Sequence, residues 1–127
     1  MVEQNESMME AHAIVMIDPD GVIRMWSTGA ERLFGYDAAS AIGQTLDLII
    51  PEAYRERHWA GLGAAVSSGH SKLDQPAANI PVTCRDGSVV RFPGRLIFLR
   101  DARDQVVGAM GIFSPNDGSE GPALPDI

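Results

Sequence analysis

Apolar positions fall first in two short strand-length runs, then at helical spacing, then in strand-length runs again. Ala13 to Ile17 is apolar and about five residues long. Asp18-Pro19-Asp20-Gly21 follows, with proline fixing φ at one corner and glycine accepting φ > 0 at another, so it reads as a tight turn. Val22 to Trp26 returns as a second strand and completes a hairpin. Thr28 and Glu31 fit a capping box at the start of a helix. Asp37 suits the N-cap of a short helix over Ala38 to Ile42, which Gly43 ends. Pro51 suits the first position of the next helix, Glu52 to Ser67, which Ser68-Gly69 stops. Along that helix Tyr54, His58, Leu62 and Val66 recur every fourth residue and form one stripe.

Beyond Gly69 the period changes. Ile80 to Thr83 reads as a strand, and Asp86-Gly87 as a hairpin turn. Val89 to Leu99 reads as a long strand whose Pro93-Gly94 predicts an edge position or a bulge. Asp101 to Asp104 turns the chain into a last strand, Val106 to Phe113. Ahead of the first strand, Val2 to Ala11 is polar and helix-compatible, with Met8 and Met9 as apolar contacts. It is either a helix packed on the sheet or on a second subunit, or a frayed terminus. Residues 115–127, rich in Gly, Pro, Ser and acid, read as a disordered tail. Two strands, a helical middle and three strands make an α+β pattern.

Composition narrows the class of protein. The 127 residues make one domain with one modest core. A net charge of −7 argues against nucleic acid and anionic membrane as partners, since both need a basic patch. Arg55, Arg57 and His58 are the one candidate basic cluster. No apolar run reaches the roughly 18 residues of a transmembrane helix. The opening residues lack a secretory pattern, and the single cysteine, Cys84, makes no internal disulfide. The expected location is the cytoplasm.

Three histidines are candidates for chemistry. His58 sits mid-helix on the stripe with Tyr54 and Leu62. Its neutral imidazole is a good iron ligand; the alternative is a structural histidine bridging helix and sheet. His70 lies at the expected helix end, where it would bind exposed carbonyls. His12 precedes the first strand as a solvated residue. Cys84 has no Cys or His beside it, so no zinc site is expected and it reads as a plain strand thiol. Trp59 either stacks on a flat cofactor or packs against a neighbouring loop. Met110 is either a soft contact to a ligand or core packing. No Gly-x-Ser-x-Gly, P-loop or His-Glu-x-x-His occurs, and no enzyme activity is expected.

The segments Asp18-x-x-Gly21-x-Ile23, Trp26-Ser27, Ala30-Glu31-x-Leu33-Phe34-Gly35-Tyr36, Ile42-Gly43, Ile49-Ile50-Pro51-Glu52 and Arg85-Asp86-Gly87-Ser88 together resemble a PAS domain. The resemblance runs to Gly108, about four fifths of the chain. It implies a five-stranded antiparallel sheet over residues 13–114 with helices packed on one face, residues 1–12 being an N-terminal cap. It also implies a ligand cavity between helices and sheet. Ile50-Pro51-Glu52-x-x-Arg55-x-x-His58 further resembles the haem-ligand helix of rhizobial oxygen-sensing kinases, whose haem-ligating histidine falls on His58. The arginine with which that family holds oxygen falls near Ala78, so a haem pocket here would be more apolar and CO or NO as plausible as oxygen. No cysteine occupies Gly43 to Asp47, where PAS-type flavin light sensors carry theirs.

The resulting expectation is a PAS sensory module without effector or catalytic segment. Tyr54, His58, Leu62, Leu96, Phe98 and Met110 would contact the ligand, with His58 as the iron ligand if the cofactor is haem. Signal would pass through protein contacts, in a homodimer and to a kinase or similar partner. The alternatives are a cofactor-free interaction domain and a binder of a small organic ligand.

Overall fold

The computed structural model describes residues 11–68 and 78–115. The expected N-terminal helix, His70 and the expected tail lie outside them. The chain runs through β1 (Ala13–Ile17), β2 (Ile23–Trp26), α1 (Thr28–Phe34), α2 (Ala38–Ala41), a 3₁₀ turn (Leu46–Leu48), α3 (Glu52–Ser68), β3 (Ala78–Thr83), β4 (Val89–Arg100) and β5 (Val106–Phe113). The five strands form one antiparallel sheet in the order β2-β1-β5-β4-β3. The architecture is the expected α+β one.

Alternation divides the sheet into two faces. Ala13, Val15, Ile17, Ile23, Phe92 and Phe113 are buried on the inner face. Met16, Met25, Met110 and Ile97 are cross-strand partners in one row on the outer face.

Three local expectations need correction. The cap of α1 is Ser27, one residue earlier than the expected box: its Oγ accepts from Ala30 N and Ile14 N, so it also pins the helix to β1. The Glu31 carboxylate instead accepts from Ala38 N at 2.7 Å, at the start of α2. Pro93 sits neither at an edge strand nor at a bulge. It lies where β4 runs past the end of β5: pairing with β5 begins at Gly94, and the Pro93 carbonyl accepts from Ser114 N at 2.7 Å, so the missing N–H costs no ladder bond. His12 is half-buried rather than solvated, and its carbonyl accepts from Ser27 Oγ. The cap at Asp37 is as expected, its carboxylate accepting from Ser40 N at 2.8 Å.

Candidate functional site

The helix α3 crosses the inner face of the sheet, and between them lies a cavity of about 110 Å³. The four-residue stripe explains its wall: Leu62 is buried, and Tyr54, His58 and Val66 are half-buried. Tyr54, His58 and Leu62 border the cavity from the helix. Val15 and Ile17 of β1, Ile80 and Val82 of β3, Leu96 and Phe98 of β4, and Phe113 of β5 border it from the sheet. Ile49, Ile50 and Leu46 close it from the connection ahead of α3.

All six residues singled out from the sequence border this cavity. Met110 does so differently from the rest. Its partners Met16 and Ile97 belong to the outer row, so alternation carries its side chain to the outer face and leaves its backbone toward the cavity.

His58 is the polar group set deepest in this wall. Burial depresses its pKa from 6.5 to about 4, against the opposing pull of the Asp47 charge. The imidazole is therefore neutral at pH 7. Its Nδ1 is buried and has no hydrogen-bond partner among the described residues. With no described partner at Nδ1, that position can offer either a lone pair or an N–H.

Trp59, the next residue, turns away. Its Nε1 donates to Asp47 Oδ1 at 2.7 Å, and its ring packs on Gly21 of the β1–β2 turn. It is not among the cavity-lining residues. Of the two sequence readings, packing against a neighbouring loop is the observed one. Arg55 reinforces this anchor, its Nε donating to the Ile50 carbonyl at 3.0 Å.

The charged residue on the cavity wall is Arg57, which the sequence marked only as part of a basic cluster. It is exposed, so it stands at the mouth. Its guanidinium carbon lies 4.9 Å from the centre of the Tyr54 ring. From the sheet, Arg91 Nη2 donates to the Tyr54 hydroxyl at 3.2 Å. The i, i+3 spacing of Tyr54 and Arg57 is the sequence signal that could have paired them.

Cys84 lies outside this site. It is buried just past β3, its Sγ 3.7 Å from the Leu33 carbonyl, and burial raises its pKa. That is an inert thiol. Among the described residues no cluster of three or more His, Cys, Asp or Glu could hold a metal, and no helix is long and apolar enough to cross a membrane.

A haem can be tested against these walls. A neutral imidazole in an apolar wall has the right donor chemistry. The space does not fit: 110 Å³ is below even the roughly 300 Å³ lower bound of ordinary ligand pockets, and a porphyrin is large among ligands. Among the described residues Nδ1 also has no hydrogen bond of the kind that usually orients a metal-bound histidine.

A small α+β domain with helices closing an apolar cavity over a curled antiparallel sheet is a fold suited to holding a ligand. The chain belongs to the PAS family: the family model described as the PAS fold matches residues 3–115. It is similar to the sensor protein FixL of Bradyrhizobium diazoefficiens, 48% identical over 46 residues, which are 36% of this chain and 9% of that one. The matched stretch is thus a small fraction of that protein's length. Among solved structures, a PAS domain from Colwellia psychrerythraea superposes with a TM-score of 0.72 at 24% identity, covering 93% of this chain and 98% of that one. The PAS domain of the Cronobacter turicensis quorum-sensing receptor RpfR, in complex with BDSF, gives 0.63 at 18% identity, over 83% and 93% of the two chains.

Proposed function

We propose that this PAS domain is a cytoplasmic sensory module that takes a small ligand in the cavity under α3 and passes the resulting shift to a signalling partner such as a kinase. The observation that carries the reading is the apolar cavity with one neutral imidazole in its wall, whose buried Nδ1 has no hydrogen-bond partner among the described residues. A buried polar group without a partner is costly, and a ligand that meets it gains that energy back. The RpfR domain, in complex with BDSF, is a precedent for ligand binding in this fold. Output goes by contact, through differential affinity of the ligand for two packings of α3 on the sheet. The test is to fill the cavity by Leu96→Trp. Ligand-dependent changes in methyl NMR spectra should disappear while the fold persists; changes that survive would reject the cavity as the site.

The similarity to FixL supports a second reading, haem held by His58. It requires α3 to move away from the sheet, because the cavity as it stands is too small. The residues that would hold haem are His58 on iron, with Tyr54, Leu62, Leu96 and Phe98 around the macrocycle; haem would supply binding of a diatomic gas. Reconstitution with haemin should then give a Soret band that His58→Ala abolishes. Absence of a saturable Soret shift rejects this reading alone.

The same proposal includes a homodimer. The outer row Met25, Met16, Met110 and Ile97 is apolar, and an apolar sheet face is a liability unless covered. Light scattering should give twice the 13.7 kDa chain mass at micromolar concentration. A monomer mass throughout would reject it.

A further inference from the structure

We propose that the cavity binds a small uncharged hydroxyl compound of about phenol size, with its hydrocarbon part against the sheet and its hydroxyl on Nδ1 of His58. This rests on the reading of the cavity as the ligand site and names the class of ligand.

Size sets the hydrocarbon part. An engineered, dry cavity of about 150 Å³ lined by aliphatic and aromatic side chains takes benzene. This one is about 110 Å³ and lined by the same kinds of side chain, among them Leu62, Ile80, Leu96 and Phe98. A single ring or a short branched chain fits it; a long extended one does not without opening.

The polar part is set by what the wall leaves unmet. Among the described residues, the lining side chains that carry polar atoms are Tyr54, Arg57 and His58, all on α3. The Tyr54 oxygen accepts from Arg91 at 3.2 Å. Arg57 lies over the Tyr54 ring and has a further interaction of its own. His58 differs: its Nδ1 is sealed from solvent and has no hydrogen-bond partner among the described residues. Packing holds its ring, which meets Trp59 edge-to-face at a centroid distance of 5.1 Å, and Trp59 in turn is held by Asp47. A half-turn about the Cβ–Cγ bond exchanges Nδ1 with the ring carbon on the other edge, so the nitrogen can meet a ligand with no movement of the backbone.

The occupant that suits this wall has one polar atom and no charge. A buried water makes about three hydrogen bonds, whereas the side chains bordering the cavity from the strands are all apolar. A hydroxyl compound needs only one polar partner. Its O–H can donate to a lone pair on Nδ1, or its oxygen can accept from an N–H there, so it suits either tautomer; an ether or a ketone suits only one. Charge is disfavoured by the same surroundings. Burial keeps His58 itself neutral down to a pKa of about 4, against the pull of Asp47. A carboxylate or an ammonium group carried to the same depth would meet the same loss of hydration.

Phenol, toluene, benzoate and benzylammonium are suitable probes, titrated at pH 7 into the full chain and read by calorimetry and by methyl NMR of Leu62 and Ile80. Toluene has the shape of phenol without the hydroxyl. A wholly apolar cavity prefers toluene, because phenol would leave its hydroxyl unpaired. This one should bind phenol at least as tightly as toluene, and both charged probes at least about tenfold more weakly than phenol. His58→Leu should lower the phenol-to-toluene affinity ratio at least about tenfold. His58→Gln, whose amide both donates and accepts, should keep part of the ratio, showing that a hydrogen bond and not the fold was removed. The imidazole nitrogen resonances of His58 should shift more with phenol than with toluene. The same ratio in wild type and His58→Leu, or tighter binding of either charged probe than of phenol, overturns the hydroxyl compound and leaves the cavity standing. If no probe shifts the Leu62 and Ile80 methyls, both this proposal and the small-ligand reading fall.

Discussion

The inner face of the sheet is covered at two ends by similar residues, with opposite results. At one end, Phe34 of α1 is fully buried and meets Trp26, Phe92 and Phe113 edge-to-face, at centroid distances of 5.7, 5.3 and 5.2 Å. Backbone and side-chain bonds lock this end: Trp26 Nε1 donates to the Tyr36 carbonyl at 2.8 Å, and Arg85 N to the Phe34 carbonyl at 2.8 Å. At the other end, Leu96 and Phe98 are only half-buried and face the cavity under α3. There the helix is anchored through Arg55 and Trp59, in its first half. The packed end is closely filled by aromatic rings; the other end keeps a void beside α3.

The largest expected effect tests that division directly. Phe34→Ala should cost about 3–5 kcal/mol, the usual loss for a buried aromatic in a close-packed core. Leu96→Ala should cost under ~2 kcal/mol, since Leu96 is half-buried beside an existing void. Urea denaturation of both variants gives the comparison, and equal losses would erase it.

How much of each end was legible follows from the range of the interactions. The sequence showed all five strands and the three helices, because turns such as Asp18-Pro19-Asp20-Gly21 and the stripe of α3 are local signals. The stripe also led to Tyr54, His58 and Leu62 on the cavity wall. The cap at Ser27 was misread because Thr28 is chemically as good; the choice depends on Ile14 N, thirteen residues away. Arg57 was not singled out because it lies off the Tyr54, His58 and Leu62 stripe, although its i, i+3 spacing from Tyr54 sets its guanidinium over that ring. Met110 was assigned a side-chain contact because strand register, which decides its face, is not a local property.

Next in size is a pH effect at the open end. Unfolded, His58 takes up its proton near its ordinary pKa of 6.5; folded, only near 4. Above pH 6.5 both states are neutral there and His58 adds no pH dependence. Between 6.5 and 4 the unfolded chain binds more protons, so stability falls as pH drops, by about 3 kcal/mol in all at ~1.4 kcal/mol per pH unit. The carboxylates of Asp18, Asp37 and Asp86, lowered mainly by their hydrogen bonds, act in the same direction at lower pH. The informative quantity is therefore the difference from His58→Leu, which lacks the loss between pH 6.5 and 4. It should also be at least as stable at pH 7, because it removes an unpartnered buried nitrogen. Parallel pH profiles for the two proteins would show that His58 is not desolvated.

A smaller effect probes the anchor between the two ends. Gly21 has φ +83° and lies under the six-membered ring of Trp59, so a methyl there would overlap the indole. Gly21→Ala should cost about 1–3 kcal/mol, from left-handed backbone strain and displacement of Trp59. With Trp59→Phe as the second change, part of that loss should vanish, because the smaller ring leaves room for the methyl. Strict additivity in the double-mutant cycle would mean that only the backbone conformation matters.

The smallest effect lies in the same turn and separates a surface charge pair from the bonds that shape the chain. Arg24 Nε meets Asp18 Oδ2 at 2.9 Å, but the arginine side chain is 62% exposed and the aspartate 21%. An ion pair so placed is screened by water and salt, so Arg24→Ala should change stability by less than ~0.5 kcal/mol. The other oxygen of the same carboxylate accepts from Asp20 N at 2.9 Å and Val22 N at 3.0 Å. Those bonds set the turn that brings Gly21 under Trp59. Asp18→Asn keeps an acceptor oxygen for them and should stay close to the wild type, whereas Asp18→Ala removes it and should cost about 1 kcal/mol. Thermal denaturation of the three variants at low and high salt tests the ranking. If Arg24→Ala proved as costly as Asp18→Ala, the ion pair rather than the backbone bonds would be holding the turn against α3.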